Sequence, residues 1–207
     1  MKKIFLVLLF LGVSLSADLV GDGVIEYKKG NYTKAVELLA SACETSDMTG
    51  CYNLGVIYAN GKGVKKDYIK ARELYTLACD NGYTDGCANL GVLYENGLDV
   101  KIDYPHAKEL YTKACDAGNF TGCHNLGVMY EKANGVQKDY AKAKEYYTLS
   151  CDSGMSAGCY NLGNFYRNGK GVRQNESTAK ELYGKACDLG NSDGCSRYKR
   201  LNEEGVK

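Results

Sequence analysis

The chain has 207 residues, 44% hydrophobic and 25% charged, the proportions of a folded soluble protein rather than of a disordered tail or a membrane bundle. Its 26 Lys and Arg nearly cancel its 25 Asp and Glu, so no large positive field exists to hold a phosphate backbone, and nucleic acid is set aside as a partner. One Pro permits long helices, while 25 Gly require recurrent breaks or close contacts.

At the N-terminus, Lys2 and Lys3 precede an apolar run from Ile4 to Leu15 that is too short to anchor in a bilayer, and Ser14-Leu15-Ser16-Ala17 supplies small residues. This predicts a signal peptide over residues 1–17, cut after Ser16 or Ala17, with export to the periplasm or beyond and no stable membrane insertion.

From there on the chain repeats. Asn-Leu-Gly recurs at Asn53, Asn89, Asn125 and Asn161, always 36 residues apart, and the same offset carries Ala71, Leu74, Tyr75 and Cys79 onto Ala107, Leu110, Tyr111 and Cys115. Each unit holds two helical faces. Cys87, Leu90, Leu93 and Tyr94 fall on one side of a first helix, and Ala107, Leu110, Tyr111, Ala114 and Cys115 on one side of a second. Thr84 and Asp85, like Thr49, Thr121, Ser156 and Ser192, are expected to accept from first-turn amides at the start of the first helix. Asn96-Gly97 ends that helix; Asp103 caps the second, Pro105 fits its first turn, and Gly118 closes it through a left-handed residue.

Such a hairpin cannot bury both faces alone, so neighbours stack. The expected fold is all-α: an α/α superhelix, or solenoid, of disulfide-bridged helix-hairpin repeats. Its units run over 18–47 (a shortened N-terminal cap), 48–83, 84–119, 120–155 and 156–191, with a capping helix over 192–207 whose Arg197, Lys199 and Arg200 suit a solvated surface. Gly91, Ala107 and Ala114 let helix axes approach, and the Tyr stripe fills the core.

The ten cysteines alternate in gaps of eight and 28. An even count in an exported chain argues for cystines, and the spacing matches no zinc pattern. Pairing across the long gap strands Cys43 and Cys195, whereas pairing across the short gap strands none. The expected bonds are Cys43–Cys51, Cys79–Cys87, Cys115–Cys123, Cys151–Cys159 and Cys187–Cys195; no metal and no cofactor are expected.

The Asn-Leu-Gly unit, the loops Gly61-Lys62-Gly63-Val64 and Gly169-Lys170-Gly171-Val172, and the Ala-x-x-Leu-Tyr and Ala-Cys-Asp segments resemble the Sel-one-like repeat, a relative of the tetratricopeptide repeat. With one cystine per unit the chain is similar to the cysteine-rich repeat proteins exported by Helicobacter and its relatives. That resemblance implies penicillin binding, with weak β-lactamase hydrolysis as the alternative; the broader family implies an adaptor.

A serine lactamase needs a hydroxyl activated by an amine one helical turn away. Ser177 with Lys180 and Ser196 with Lys199 have that spacing, but no Ser-Asp-Asn or Lys-Thr-Gly accompanies them, and Lys180 follows the repeat consensus. His106 and His124 fall on different helices. The adaptor reading places a ligand against the first helices, where Tyr52, Ala88, His124 and Tyr160 vary between units beside Asn53, Asn89, Asn125 and Asn161. The uniform asparagines suit a ladder bonding adjacent units, which leaves specificity to Tyr52, His124 and Tyr160. The expected partner is an extended peptide, a host or envelope protein, or a peptidoglycan-related ligand, held by a monomer.

Overall fold

The structure, a computed structural model, describes residues 19–206. The expected signal peptide, with Ser16 and Ala17, lies outside the described residues. A helix over residues 19–29 (α1) is followed by α2 (Tyr32–Glu44), α3 (Met48–Asn60), α4 (Tyr68–Asp80), α5 (Thr84–Asn96), α6 (Tyr104–Asp116), α7 (Phe120–Lys132), α8 (Tyr140–Asp152), α9 (Ser156–Asn168), α10 (Glu176–Asp188) and α11 (Ser192–Glu203). No described residue forms a strand, and no described helix is long and apolar enough to cross a membrane.

The period follows from these lengths. Each full unit is a first helix of 13 residues, a loop, a second helix of 13 residues and a short turn. A 13-residue helix is about 20 Å long, so both helices of a hairpin match in length. The chain divides between Ile102 and Asp103 into two compact units, α1–α5 and α6–α11, and within each of them consecutive helices pack in order.

What lets the helices approach is the absence of side chain on the first helices. A Cβ on Gly50 would stand 2.6 Å from the Ala42 methyl, and one on Gly127 or Gly163 would stand 2.7 or 2.8 Å from the rings of Tyr147 or Tyr183. Glycine there is a packing requirement: it opens the slot into which a tyrosine of the second helix drops, and Tyr147 and Tyr183 are fully buried. Ala71, Ala107, Ala143 and Ala179 are likewise without exposure and keep the second helices thin along the same seam.

The long loops open with a left-handed residue: Gly61, Gly97 and Gly169 have φ of 68°, 63° and 66°, and Ala133 adopts the same conformation at 63° despite its Cβ. Asp103 caps α6 by accepting from the His106 amide, with Pro105 in the first turn, and Gly118 is left-handed.

The starts of the first helices differ from expectation. The caps are Asp47, Tyr83, Asn119, Met155 and Asn191; Thr49, Thr84, Thr121, Ser156 and Ser192 lie inside the first turn. The turn leaves no spare residue, so whichever residue ends it becomes the cap. Asp47, Asn119 and Asn191 accept first-turn amides, whereas Tyr83 and Met155 make no side-chain cap bond.

Every one of these turns is bracketed by a cystine. Cys43–Cys51, Cys79–Cys87, Cys115–Cys123, Cys151–Cys159 and Cys187–Cys195 join the end of one second helix to the start of the next first helix, with Cα atoms 4.4 to 4.7 Å apart. There is no free cysteine. By chain entropy each such loop contributes about 2.5 kcal/mol.

Candidate functional site: a polar ladder on the first helices

The repeat carries its asparagines to one register of each first helix, and two of them, Asn89 and Asn161, reach back to the preceding hairpin. In the α1–α5 unit, Asn89 Nδ2 donates to the Tyr52 hydroxyl at 3.4 Å. The Tyr52 ring lies 5.9 Å from that of Tyr75 and 5.1 Å from that of Tyr83. Burial raises the pKa of all three phenols, so this aromatic cluster is uncharged at neutral pH. Asn53 lines a mostly apolar cavity of about 270 Å³ with Val24, Tyr27, Leu39 and Ile57.

In the α6–α11 unit the corresponding bond joins Asn161 Nδ2 to His124 Nε2 at 2.9 Å. An amide nitrogen can only donate, so Nε2 accepts and the ring proton sits on Nδ1, 3.4 Å from Asn125 Oδ1. This network needs a neutral imidazole, and burial holds the His124 pKa below its ordinary value against the opposing pull of Asn125 and Glu131. The His124 ring packs 5.6 Å from Tyr147, and the Tyr160 ring 5.7 Å from Tyr183. At these two steps the invariant asparagine of one hairpin holds the variable side chain of the hairpin before it.

Several partners were not singled out in the sequence. The Tyr147 hydroxyl donates to Glu131 Oε2 at 2.7 Å, and Lys170 donates to Glu131 Oε1 at 2.9 Å. The Tyr183 hydroxyl donates to Asn164 Oδ1 at 2.7 Å. The signal was present: Glu131 and Arg167, or Tyr147 and Tyr183, stand 36 residues apart, so the offset that marked the asparagines also marks these.

The two Ser-x-x-Lys pairs are differently employed. Lys180 Nζ donates to the Val206 carbonyl at 2.6 Å and lies over the Tyr198 ring, and Ser177 sits half-buried in the first turn of α10. Ser196 Oγ donates to the Ser192 carbonyl at 3.0 Å, while Lys199 approaches Glu203 at 3.9 Å. Each of these lysines is engaged away from its serine. Among the described residues no cluster of His, Cys, Asp and Glu could hold a metal ion.

The Sel1 repeat pattern matches residues 10–46, 49–83, 84–119, 121–155 and 156–191. A Helicobacter pylori protein named "Putative beta-lactamase HcpC" is 43% identical over 49 residues, which make up 24% of this chain and 17% of that protein. The crystal structure of c5321, a protective antigen of uropathogenic Escherichia coli, superposes with a TM-score of 0.77 at 31% identity, over 92% of this chain and 42% of that one. The Helicobacter pylori cysteine rich protein B is 35% identical with a TM-score of 0.51, over 64% of this chain and 96% of that one. With that pattern repeated along most of its length, this chain belongs to the Sel1 repeat family.

Proposed function

We propose that the chain is an exported binding scaffold whose first-helix face takes an extended peptide, presented by a host or envelope protein or by a peptidoglycan-related ligand. The observation that carries this reading is the ladder of Asn89 to Tyr52 and Asn161 to His124: polar and aromatic groups that vary between hairpins, each half-buried and each held by its neighbour. Groups fixed before a ligand arrives lose little rotamer freedom on binding, and aromatic anchors give the largest return per residue. Sel1 repeats mediate protein interaction, which supports the same class of partner. Five disulfides support an oxidising compartment, the periplasm or the exterior.

The name of HcpC brings penicillin binding to this chain as a second ligand for the same face. Hydrolysis is not favoured, because a serine nucleophile needs its amine within hydrogen-bond reach and Lys180 and Lys199 are occupied elsewhere. The test is binding of the oxidised protein to an array of extended peptides and muropeptides, together with nitrocefin. We expect Tyr52→Ala and His124→Ala each to weaken binding about tenfold or more, the scale of a lost anchor, and no nitrocefin turnover. Turnover abolished by Ser177→Ala or Ser196→Ala would reverse the reading.

A further inference from the structure

Within the α6–α11 unit, the loop end of the α7–α8 hairpin holds a polar cavity of about 470 Å³, inside the size range of small-molecule sites. Lys108 lines it from α6, Tyr130 from α7, Gln137, Lys138 and Asp139 from the loop, and Lys142 from the first turn of α8. Three ammonium groups therefore border one hollow against a single carboxylate. That carboxylate is engaged: Asp139 Oδ1 caps α8 by accepting the Ala141 and Lys142 amides, each at 3.0 Å. None of the three lysines forms an ion pair among the described residues.

Two of the lysines are seated on aromatic rings. Lys142 Nζ lies 5.0 Å from the centre of the Tyr130 ring and Lys138 Nζ 5.8 Å from that of Tyr140, while Tyr130 itself is buried and stacks on Tyr146 at 5.9 Å. A cation held over an aromatic face gives up less rotamer freedom when a ligand arrives. The next hairpin of this unit lacks the pair, with Gln174 and Thr178 in the places of Lys138 and Lys142. In the α1–α5 unit, Lys66 and Lys70 lie over Tyr68 and Tyr58 at 5.4 and 4.9 Å, but Val36 stands where α6 has Lys108. Among the described residues, the α7–α8 loop alone combines the seated pair with a third lysine from the preceding hairpin, so the repeat consensus does not account for the hollow.

An ammonium is a compact point charge with rotatable donors, suited to the tetrahedral oxygens of a phosphate, whereas a planar carboxylate is better met by a guanidinium. A phosphomonoester carries a charge of about −1.5 to −2 at neutral pH and three acceptor oxygens. One such group answers three lysines offset by one aspartate. We propose that Lys108, Lys138 and Lys142 bind a phosphomonoester in this cavity, with the Tyr130 ring and Gln137 beside it. The site does not depend on the reading of the first-helix face as a peptide site. The ester belongs to a soluble molecule such as a phosphorylated sugar or to a lipid headgroup, and the lysines read the phosphate common to both.

The experiment is an NMR titration of the oxidised protein with glucose 6-phosphate and with glucose, at constant ionic strength because exposed charges are screened by salt. Glucose 6-phosphate is expected to shift the resonances of Lys108, Gln137, Lys138 and Lys142 saturably, and glucose to leave them unmoved. Lys138→Gln and Lys142→Gln should each weaken binding about tenfold, the scale of one hydrogen bond to a charged group, with the circular-dichroism spectrum unchanged. Lys66→Gln together with Lys70→Gln should leave the affinity as it was. Vesicles of phosphatidylcholine with and without phosphatidic acid form the second arm. Retention on the acid-bearing vesicles, lost in Lys138→Gln, supports the site and assigns the phosphate to a lipid; saturable binding of the sugar ester without retention supports it and assigns a soluble ligand. The proposal is overturned if neither carrier binds, if glucose shifts the same resonances, if the shifts follow every exposed lysine alike, or if a folded variant with Lys138→Gln and Lys142→Gln binds as before. Should that variant lose its fold, the comparison of glucose 6-phosphate with glucose on the unaltered chain still decides.

Discussion

Tyr75 on α4 and Tyr147 on α8 stand two repeats apart in the same register, and they agree in everything that concerns packing. Each drops under a glycine of the preceding first helix, Gly55 or Gly127, where a Cβ would come within 2.7 Å of its ring. They differ in what surrounds the hydroxyl. Around Tyr75 the setting is aromatic, made by the Tyr52 ring with Tyr83 beyond it, and Asn89 bonds the Tyr52 hydroxyl. Around Tyr147 it is ionic and titratable, made by Glu131, Lys170 and His124. Packing and polar chemistry thus reside in different positions of the same repeat: the glycine and the tyrosine ring hold the hairpin together, and residues touching only the hydroxyl differ from one hairpin to the other.

The comparison breaks most visibly if the ring is removed. Tyr147→Ala is expected to cost about 3–5 kcal/mol in urea denaturation, the scale for truncating a buried aromatic, whereas Tyr52→Ala, at a half-buried position, is expected to cost much less. Next in size is the covalent staple. Replacing Cys79 and Cys87 together by Ala should cost about 2.5 kcal/mol, and so should replacing Cys115 and Cys123, since the loops are equal in length; unequal losses would show native strain at one of them. Smaller still is the backbone of α7. Ala133→Gly is expected to stabilise by about 1 kcal/mol, because the left-handed conformation at φ 63° burdens a Cβ.

The finest test separates the two settings by pH. His124 has a folded-state pKa below its ordinary 6.5, so on acidification the unfolded chain takes up this proton first. The neutral-ring contribution to stability is complete above pH 6.5 and is lost as pH falls from there through the lowered folded value. Protonation also sets an Nε2–H against the Asn161 amide, so amide exchange near Asn161 should accelerate over that range. The Tyr52 cluster contains no histidine, and His124→Asn is expected to abolish the effect.

The covalent and apolar half of this architecture could be read from residues alone because it is periodic. A 36-residue offset fixes helix lengths and the side that each Ala and Tyr faces, and the short-gap cysteines sit where two helix ends meet. The ladder asparagines were visible for the same reason. Two things were less so. Thr49, Thr84 and Thr121 looked like helix caps, yet the tightness of the turn moves that role to Asp47, Tyr83 and Asn119, and neither Tyr83 nor Met155 has cap chemistry to advertise it. Arg167 and Arg197 are departures from the repeat, and a departure near the end of the chain reads as a solvated cap. Only the packing of α9 and α11 on α10 brings both positive charges near enough to Tyr183 to work against burial on its pKa.

The placing of the sulfur bridges has a last consequence, for how the molecule meets a protease. A cut in the exposed stretch Asp80–Gly82 falls between Cys79 and Cys87, so both fragments stay joined and part only under reductant. The long loop with exposed Lys62, Lys65 and Lys66 has no bridge across it, and trypsin cutting there severs the polypeptide outright. Damage is thus tolerated in the cystine-bracketed turn and concentrated in the loop that carries the lysines.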